Sequence, residues 1–313
     1  MGREPISILP APESLPRPRL LACDIDGTLV DRERHLRPVV RDALRRVAAS
    51  GVRLVLVTGR APWDGIDALA EDLELDGPQI TMQGALVSDP RTGEVERLRP
   101  IPVVTYLDGL RFAGELGLDP VVGLADGHRA ARVGPEVDFL GQWPARFERV
   151  EDLRSLAAST PVRLYLPTGP ARHRHVRAAA SVWFARDASI VWSDLGGVEL
   201  LGPGAHKGAA VAWLAARLGL DAAEVAAVGD APNDMTMLSF AGRSAAMGGP
   251  AGPAAPFADI AVPSSDEDGL LVALAWFFPD LARAFGRATP EPVALAAFRG
   301  CRGPAKVPDS LAG

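Results

Sequence analysis

"LLACDIDGTLV", residues 20–30, runs an apolar strand directly into two carboxylates, Asp24 and Asp26, and stops at Gly27-Thr28. Side chains at i and i+2 of a strand leave on the same side, so these two repel each other unless positive charge is held between them. Downstream, Val40, Leu44 and Val47 recur at helical spacing and predict a helix over 38–49. "GVRLVLVTGR" (51–60) is an unbroken apolar strand of the kind a parallel sheet buries on both faces. A helix over 62–73 and a third strand, "QITMQGALV" (79–87), complete the series. Strand, helix, strand, helix, strand is the pattern of a doubly wound α/β fold with a mainly parallel, Rossmann-like core sheet.

The rhythm changes at about 86. Shorter, more polar strands and turn signals such as "DPRTGE" and "LADGH" follow, with helical stretches near 102–116 and 170–184. This reads as a smaller α+β cap, residues 86–198, inserted into the core. The core therefore comprises 19–85 and 199–286. Its second part holds the helix "KGAAVAWLAARLGL" from 207, the strand "EVAAVGD", the helix "NDMTMLSFAG", the strand "SAAMG" and a closing strand, loop and helix in "ADIAVPSSDEDGLLVALAWFF". Residues 1–18, with five prolines, read as a disordered leader, and 287–313 as a flexible tail.

Composition narrows the function. The 313 residues carry a formal net charge of −6, which gives no basic excess for a nucleic-acid partner. No run of about 18 apolar residues offers a membrane span, and Cys23 and Cys301 make no disulfide framework, so a reducing cytoplasm is the expected setting. Of the 33 basic residues only Lys207 and Lys306 are lysines, and Asn233 is the sole asparagine. A chain so biased toward arginine that keeps Lys207 and Asn233 directs attention to both.

In doubly wound sheets ligands bind beyond the carboxyl ends of the strands. Asp24 and Asp26 follow the first strand, Thr58-Gly59-Arg60 the second, and Gly229-Asp230 a later one, with Lys207 opening the helix before it and Asn233-Asp234 the helix after it. Carboxylates gathered at about 4 Å repel by about 4 kcal/mol per pair at an effective dielectric of about 20. A hard divalent cation removes that cost, and oxygen-only ligands suit Mg²⁺. Gly27 lets backbone approach a phosphate, Thr58 offers a hydroxyl and Lys207 a compact charge. Nucleophile, metal and charge clamp together describe phosphoryl transfer through an aspartyl phosphate. Singly, each feature has a plainer reading. Asp-x-Asp is a common solvated turn, Lys207 a helix-start lysine, Asp230 and Asp234 helix-capping acids, Arg60 a structural residue, and "RHRHVR" (172–177) a solvated helix face.

The ordered set "DIDGTLV", "LVTGR", "HKG" and "GDAPNDMTML" resembles the four motifs of haloacid dehalogenase superfamily phosphatases. The insertion between the second and third motifs, and "AAMG…ADIAVPSSDEDGL", resemble its Cof-type branch. The likeness implies a Mg²⁺-dependent phosphatase for a small phosphorylated metabolite, most naturally a sugar phosphate. It assigns Asp24 as nucleophile and metal ligand, and Asp26 as acid and base with its backbone carbonyl on the metal. Thr58 and Lys207 would hold the phosphoryl group, with Gly27 and Gly59 shaping its pocket. Asp230 would bind Mg²⁺, Asn233 would contact phosphate, and Asp234 would support the metal or Lys207. Gln83 stands where that branch usually has asparagine, and Glu199 and His206 are candidates to reach substrate hydroxyls. The same site chemistry also suits a phosphotransferase or mutase, or a phospho-accepting receiver domain, although a receiver has no need of Asp26 or of a cap.

Overall fold

In the computed structural model of the chain, which describes residues 15–132, 147–193, 196–285 and 293–294, every residue of β1 (Leu20–Cys23) is buried. The chain continues through α1 (Pro38–Ala49), β2 (Arg53–Leu56), α2 (Ile66–Asp72), β3 (Gln79–Thr81), β4 (Leu86–Ser88), β5 (Val95–Leu98) and α3 (Val103–Glu115). Next come β6 (Val121–Gly123), β7 (His128–Ala130), β8 (Phe147–Arg149), β9 (Arg163–Pro167), α4 (Gly169–Trp183), β10 (Ser189–Ser193) and β11 (Gly197–Leu201). The last part holds α5 (Lys207–Arg217), β12 (Val225–Gly229), α6 (Met235–Phe240), β13 (Arg243–Ala246), β14 (Ile260–Ala261), α7 (Gly269–Phe277) and β15 (Val293–Ala294).

Successive β1 side chains divide between two cores, as a strand period of two requires. Leu21 and Cys23 pack with Val40, Leu44 and Val47 of α1 and with Leu270, Leu274 and Phe277 of α7. Leu20 and Ala22 pack with Val211 and Leu214 of α5 and Met237 and Leu238 of α6. The core sheet, in the order β15-β14-β13-β12-β1-β2, is thus covered on both faces. It is parallel from β14 to β2, and the short β15 pairs antiparallel at its edge. The chain leaves β1 toward β2 on one side and returns through β12 on the other. The carboxyl ends of β1 and β12 therefore form a topological switch point, where a ligand crevice opens.

A second sheet, β10-β11-β9-β6-β7-β8, is antiparallel except for the β7–β8 pair and has its own core around Tyr106, Phe112, Leu164 and Phe184. Strand β11 pairs with β9 and β10 along all of Gly197–Leu201. The expected boundary between 198 and 199 falls inside that ladder, so the cap sheet runs on to Leu201. At the other end the expected third strand is two. Residues 82–84 make a tight turn with positive φ throughout, and β3 and β4 pair antiparallel, with Gln79 opposite Ser88. The turn sets Gly84 against the start of α5, where a Cβ would stand 2.5 Å from the His206 carbonyl oxygen. A parallel bridge from Val57 to Ile80 joins this hairpin to the core sheet. Strands β4 and β5 therefore extend the core side past residue 86, to Leu98.

Helix α6 begins at Met235, two residues later than its sequence suggests, because Pro232–Asp234 form a separate 3₁₀ turn. Of the leader, residues 1–14 lie outside the described residues, and so does the tail apart from Val293–Ala294. Among the described residues no helix is long and apolar enough to cross a membrane.

Candidate active site

Asp24 is the first residue past β1, and its N–H donates to the Val228 carbonyl at 3.0 Å, which locks it beside the end of β12. Its side chain is buried. Lys207, at the first position of α5 and 1% exposed, donates from Nζ to Asp24 Oδ1 and to Asp234 Oδ1, each at 2.6 Å. The other oxygen of Asp234 accepts from the N–H groups of Asp230 and Ala231, both at 3.0 Å. Both Asp234 oxygens are thereby engaged, and the residue pins the 230–234 loop to the lysine.

Asp230 comes to the same point from β12. Carboxylate oxygens of Asp24, Asp230 and Asp234 all lie within 4.8 Å of one another. Gly27 makes this approach possible. Its φ of +80° suits glycine, and a Cβ there would stand 2.4 Å from Asp230 Oδ2. The turn it serves is tight, with the N–H groups of Thr28, Leu29 and Val30 all directed to the Ile25 carbonyl. Thr28 Oγ1 adds a 3.4 Å contact to Asp230 Oδ1. Three carboxylates cluster with one ammonium bridging two of them, all donors are oxygens, and Asp24 and Asp234 are nearly or fully buried. This donor set fits a hard divalent cation such as Mg²⁺.

Electrostatics agree with the geometry. Burial pushes the Asp24 carboxyl well above the usual range, Asp234 and Asp230 push it further, and Lys207 opposes them. Burial alone would lower the Lys207 ammonium, but Asp234 and Asp24 outweigh it and hold its pKa above normal. A carboxyl whose pKa is raised on folding binds more protons in the native state, so its contribution to stability fades as pH rises through the ordinary aspartate value toward the raised one. Metal-free protein is therefore expected to lose stability over that interval in urea melts, and Asp24→Asn to flatten the loss. Parallel pH profiles for the two proteins would reject this account of the site.

Asp26 does not join the carboxylate cluster. Its side chain is 47% exposed and forms a two-point pair with Arg60, Nε to Oδ2 at 2.8 Å and Nη2 to Oδ1 at 2.5 Å. The expected same-side placement with Asp24 gives way because the strand ends at Cys23 and the turn carries Asp26 toward β2. Thr58 is buried two residues past Leu56, the β1-paired end of β2, and its Oγ1 accepts from Arg60 N–H at 3.0 Å. That leaves the hydroxyl proton of Thr58 able to donate. Gly59 packs against the Gln83 amide.

Asn233 is oriented by Gln83 instead of standing free. Its Nδ2 donates to Gln83 Oε1 at 3.0 Å, while Gln83 Nε2 donates to Glu199 Oε1 at 2.9 Å. His206 is a helix cap, its Nδ1 accepting from Ala209 N–H at 3.1 Å. The 172–177 stretch lies on α4, where Arg177 stacks over Trp192 and Arg172 binds the Leu116 carbonyl. Sequence reasoning left Arg60 as structural and passed over Thr28 and Arg163. The first two stood inside quoted motifs, whereas Arg163 carried no signal at all.

A family model described as haloacid dehalogenase-like hydrolase matches residues 21–274. "Phosphatase YwpJ" of Bacillus subtilis is 27% identical over 286 residues, covering 80% of this chain and 97% of that protein. "HMP-PP phosphatase" of Cronobacter sakazakii is 29% identical over 243 residues, 74% of this chain and 84% of that one. The solved structure of the subclass IIB sugar phosphatase BT4131 aligns with a TM-score of 0.70 at 21% identity, over 80% of this chain and 96% of the other, a likeness of fold.

Proposed function

Because the chain belongs to the haloacid dehalogenase-like hydrolase family, we propose that it is a Mg²⁺-dependent phosphatase working through a phosphorylated Asp24. Its relatives bear the name phosphatase, and the likeness to a sugar phosphatase fold supports a sugar phosphate as the first substrate to try. The observation that carries the reading is Lys207 bridging Asp24 and Asp234, with Asp230 beside them, at the switch point of the sheet.

Asp24 and Asp230 would hold the ion with the Asp26 backbone carbonyl, Asp234 serving from behind through Lys207 and the loop N–H groups. When bound, Mg²⁺ supplies positive charge to the phosphoryl oxygens and screens the acids from one another. The Asp24 oxygen that does not accept from Lys207 attacks phosphorus, and the bond from phosphorus to the leaving oxygen breaks. Asp26, reachable from solvent, would take up a proton from it once Arg60 releases one of its contacts and hand that proton to the leaving oxygen. In the second half Asp26 takes a proton from water, the water oxygen bonds to phosphorus, and Asp24 is freed. Lys207 stays charged throughout and, with Thr58 Oγ1–H, steadies the phosphoryl group.

Purified protein is expected to release inorganic phosphate from some member of a panel of sugar phosphates, with HMP-PP included, when Mg²⁺ is present. Excess EDTA should remove that activity and added Mg²⁺ restore it. Release unaffected by EDTA rejects the metal assignment. An isomerised ester in place of free phosphate would mark a mutase.

A further inference from the structure

On the cap side of the site lies a second buried polar group that the phosphoryl chemistry does not use. Its members are His128 on β7, Arg163 on β9, Glu199 on β11 and Trp63 in the loop after Arg60. The first three are 1%, 5% and 3% exposed. Arg163 Nη1 donates to the Gly59 carbonyl at 2.7 Å and lies 3.4 Å from Glu199 Oε2, while its Nη2 is 2.7 Å from His128 Nε2.

A guanidinium can only donate, so His128 Nε2 accepts and the ring proton sits on Nδ1. Burial, with Arg163 and Arg129 beside it, pulls the His128 pKa down to about 3, so the ring stays neutral in this tautomer. Among the described residues its Nδ1–H has no partner. The Trp63 ring meets His128 edge-on, with centroids 5.5 Å apart, and Trp63 Nε1–H is likewise buried without a partner among the described residues. Nearly all buried polar groups are hydrogen-bonded. Two orphan donors thus stand on rings in edge-on contact, one of them held in its tautomer by Arg163, and each lacks an acceptor. Arg163 is balanced by Glu199, so the missing acceptor needs no charge.

The group is tied to the catalytic loops at two points. Arg163 holds Gly59, between Thr58 and Arg60, and Glu199 holds Gln83, which orients Asn233. We propose that Trp63 Nε1–H and His128 Nδ1–H receive an uncharged oxygen of the leaving group, a hydroxyl, ether or carbonyl, and so select hydroxylated phosphate esters over apolar ones. Arg163 and Glu199 are positioning residues for this pair. The assignment rests on the phosphatase reading.

The test compares kcat/KM for hexose, pentose and glycerol phosphates with that for n-hexyl phosphate, with p-nitrophenyl phosphate as a general ester. Wild type should prefer the best hydroxylated ester over n-hexyl phosphate by tenfold or more. His128→Phe and Trp63→Phe should each cut that preference at least tenfold, chiefly through KM. His128→Asn, whose side-chain amide nitrogen can stand where Nδ1 does, should keep most of it, which a merely space-filling role does not predict. An unchanged preference in the Phe variants, or equal loss in His128→Asn and His128→Phe, overturns the proposal while leaving the phosphatase reading intact. Silence of the wild type on every ester, p-nitrophenyl phosphate included, overturns the phosphatase reading and this proposal with it.

Discussion

Asp24→Asn is expected to lower phosphate release by at least about 10⁴-fold, the scale seen when a nucleophile is removed from an intact catalytic unit. The amide has nearly the shape of the carboxyl but lacks the anionic oxygen that, in the proposed mechanism, attacks phosphorus and helps hold the ion. Its fold should survive, because Lys207 keeps Asp234 as a partner at 2.6 Å and one source of repulsion in the buried cluster disappears. Turnover should therefore be lost without loss of the thermal transition. Acid quenching of wild type during turnover of a ³²P-labelled substrate should give labelled protein, and the variant none. Activity within tenfold of wild type, or label on another residue, would end the role given to Asp24.

Lys207→Met should produce the largest stability defect of any single change in the site. The ammonium is fully buried, and it is the cation shared by Asp24 and Asp234. Methionine fills a similar volume but leaves two carboxylates without their cation, and removing one partner of a buried ion pair costs about 3–5 kcal/mol. Urea melts in EDTA at neutral pH measure this directly. Lys207→Arg should not rescue it, since a planar fork cannot occupy the space of a compact ammonium in a packed site. Adding Asp234→Asn to Lys207→Met should recover part of the loss, because the two residues are coupled and their effects do not add. Wild-type stability in Lys207→Met would mean that the ion pair is not what holds the two halves of the core together at this point.

The alternation of core strands and helices was legible because it rests on local rules. Apolar runs such as Leu54-Val55-Leu56-Val57 and the helical spacing of Val40, Leu44 and Val47 need no distant partner to be recognised. Where distant contacts decide, local reading stopped. At the break around Gln83 the Gly84 backbone meets the His206 carbonyl, and residues more than a hundred positions apart leave no periodic trace of such a meeting. The run of β11 to Leu201 was hidden for a similar reason, since its partners in β9 and β10 set its length.

The same division applies to the site. Asp24, Lys207, Asp230 and Asp234 announced themselves by chemistry and by their place after strands, and the scarcity of lysine and asparagine singled out Lys207 and Asn233. What the linear chain determined was the inventory of reactive groups and the layered core that presents them, because both follow from residue type and short-range spacing. Only the folded arrangement decided which group each one touches. It took Asp26 to Arg60, bound both oxygens of Asp234, turned His206 into a helix cap and set Arg163 against His128, since hydrogen-bond partners across a tertiary contact are selected by distance and direction, which sequence order does not encode.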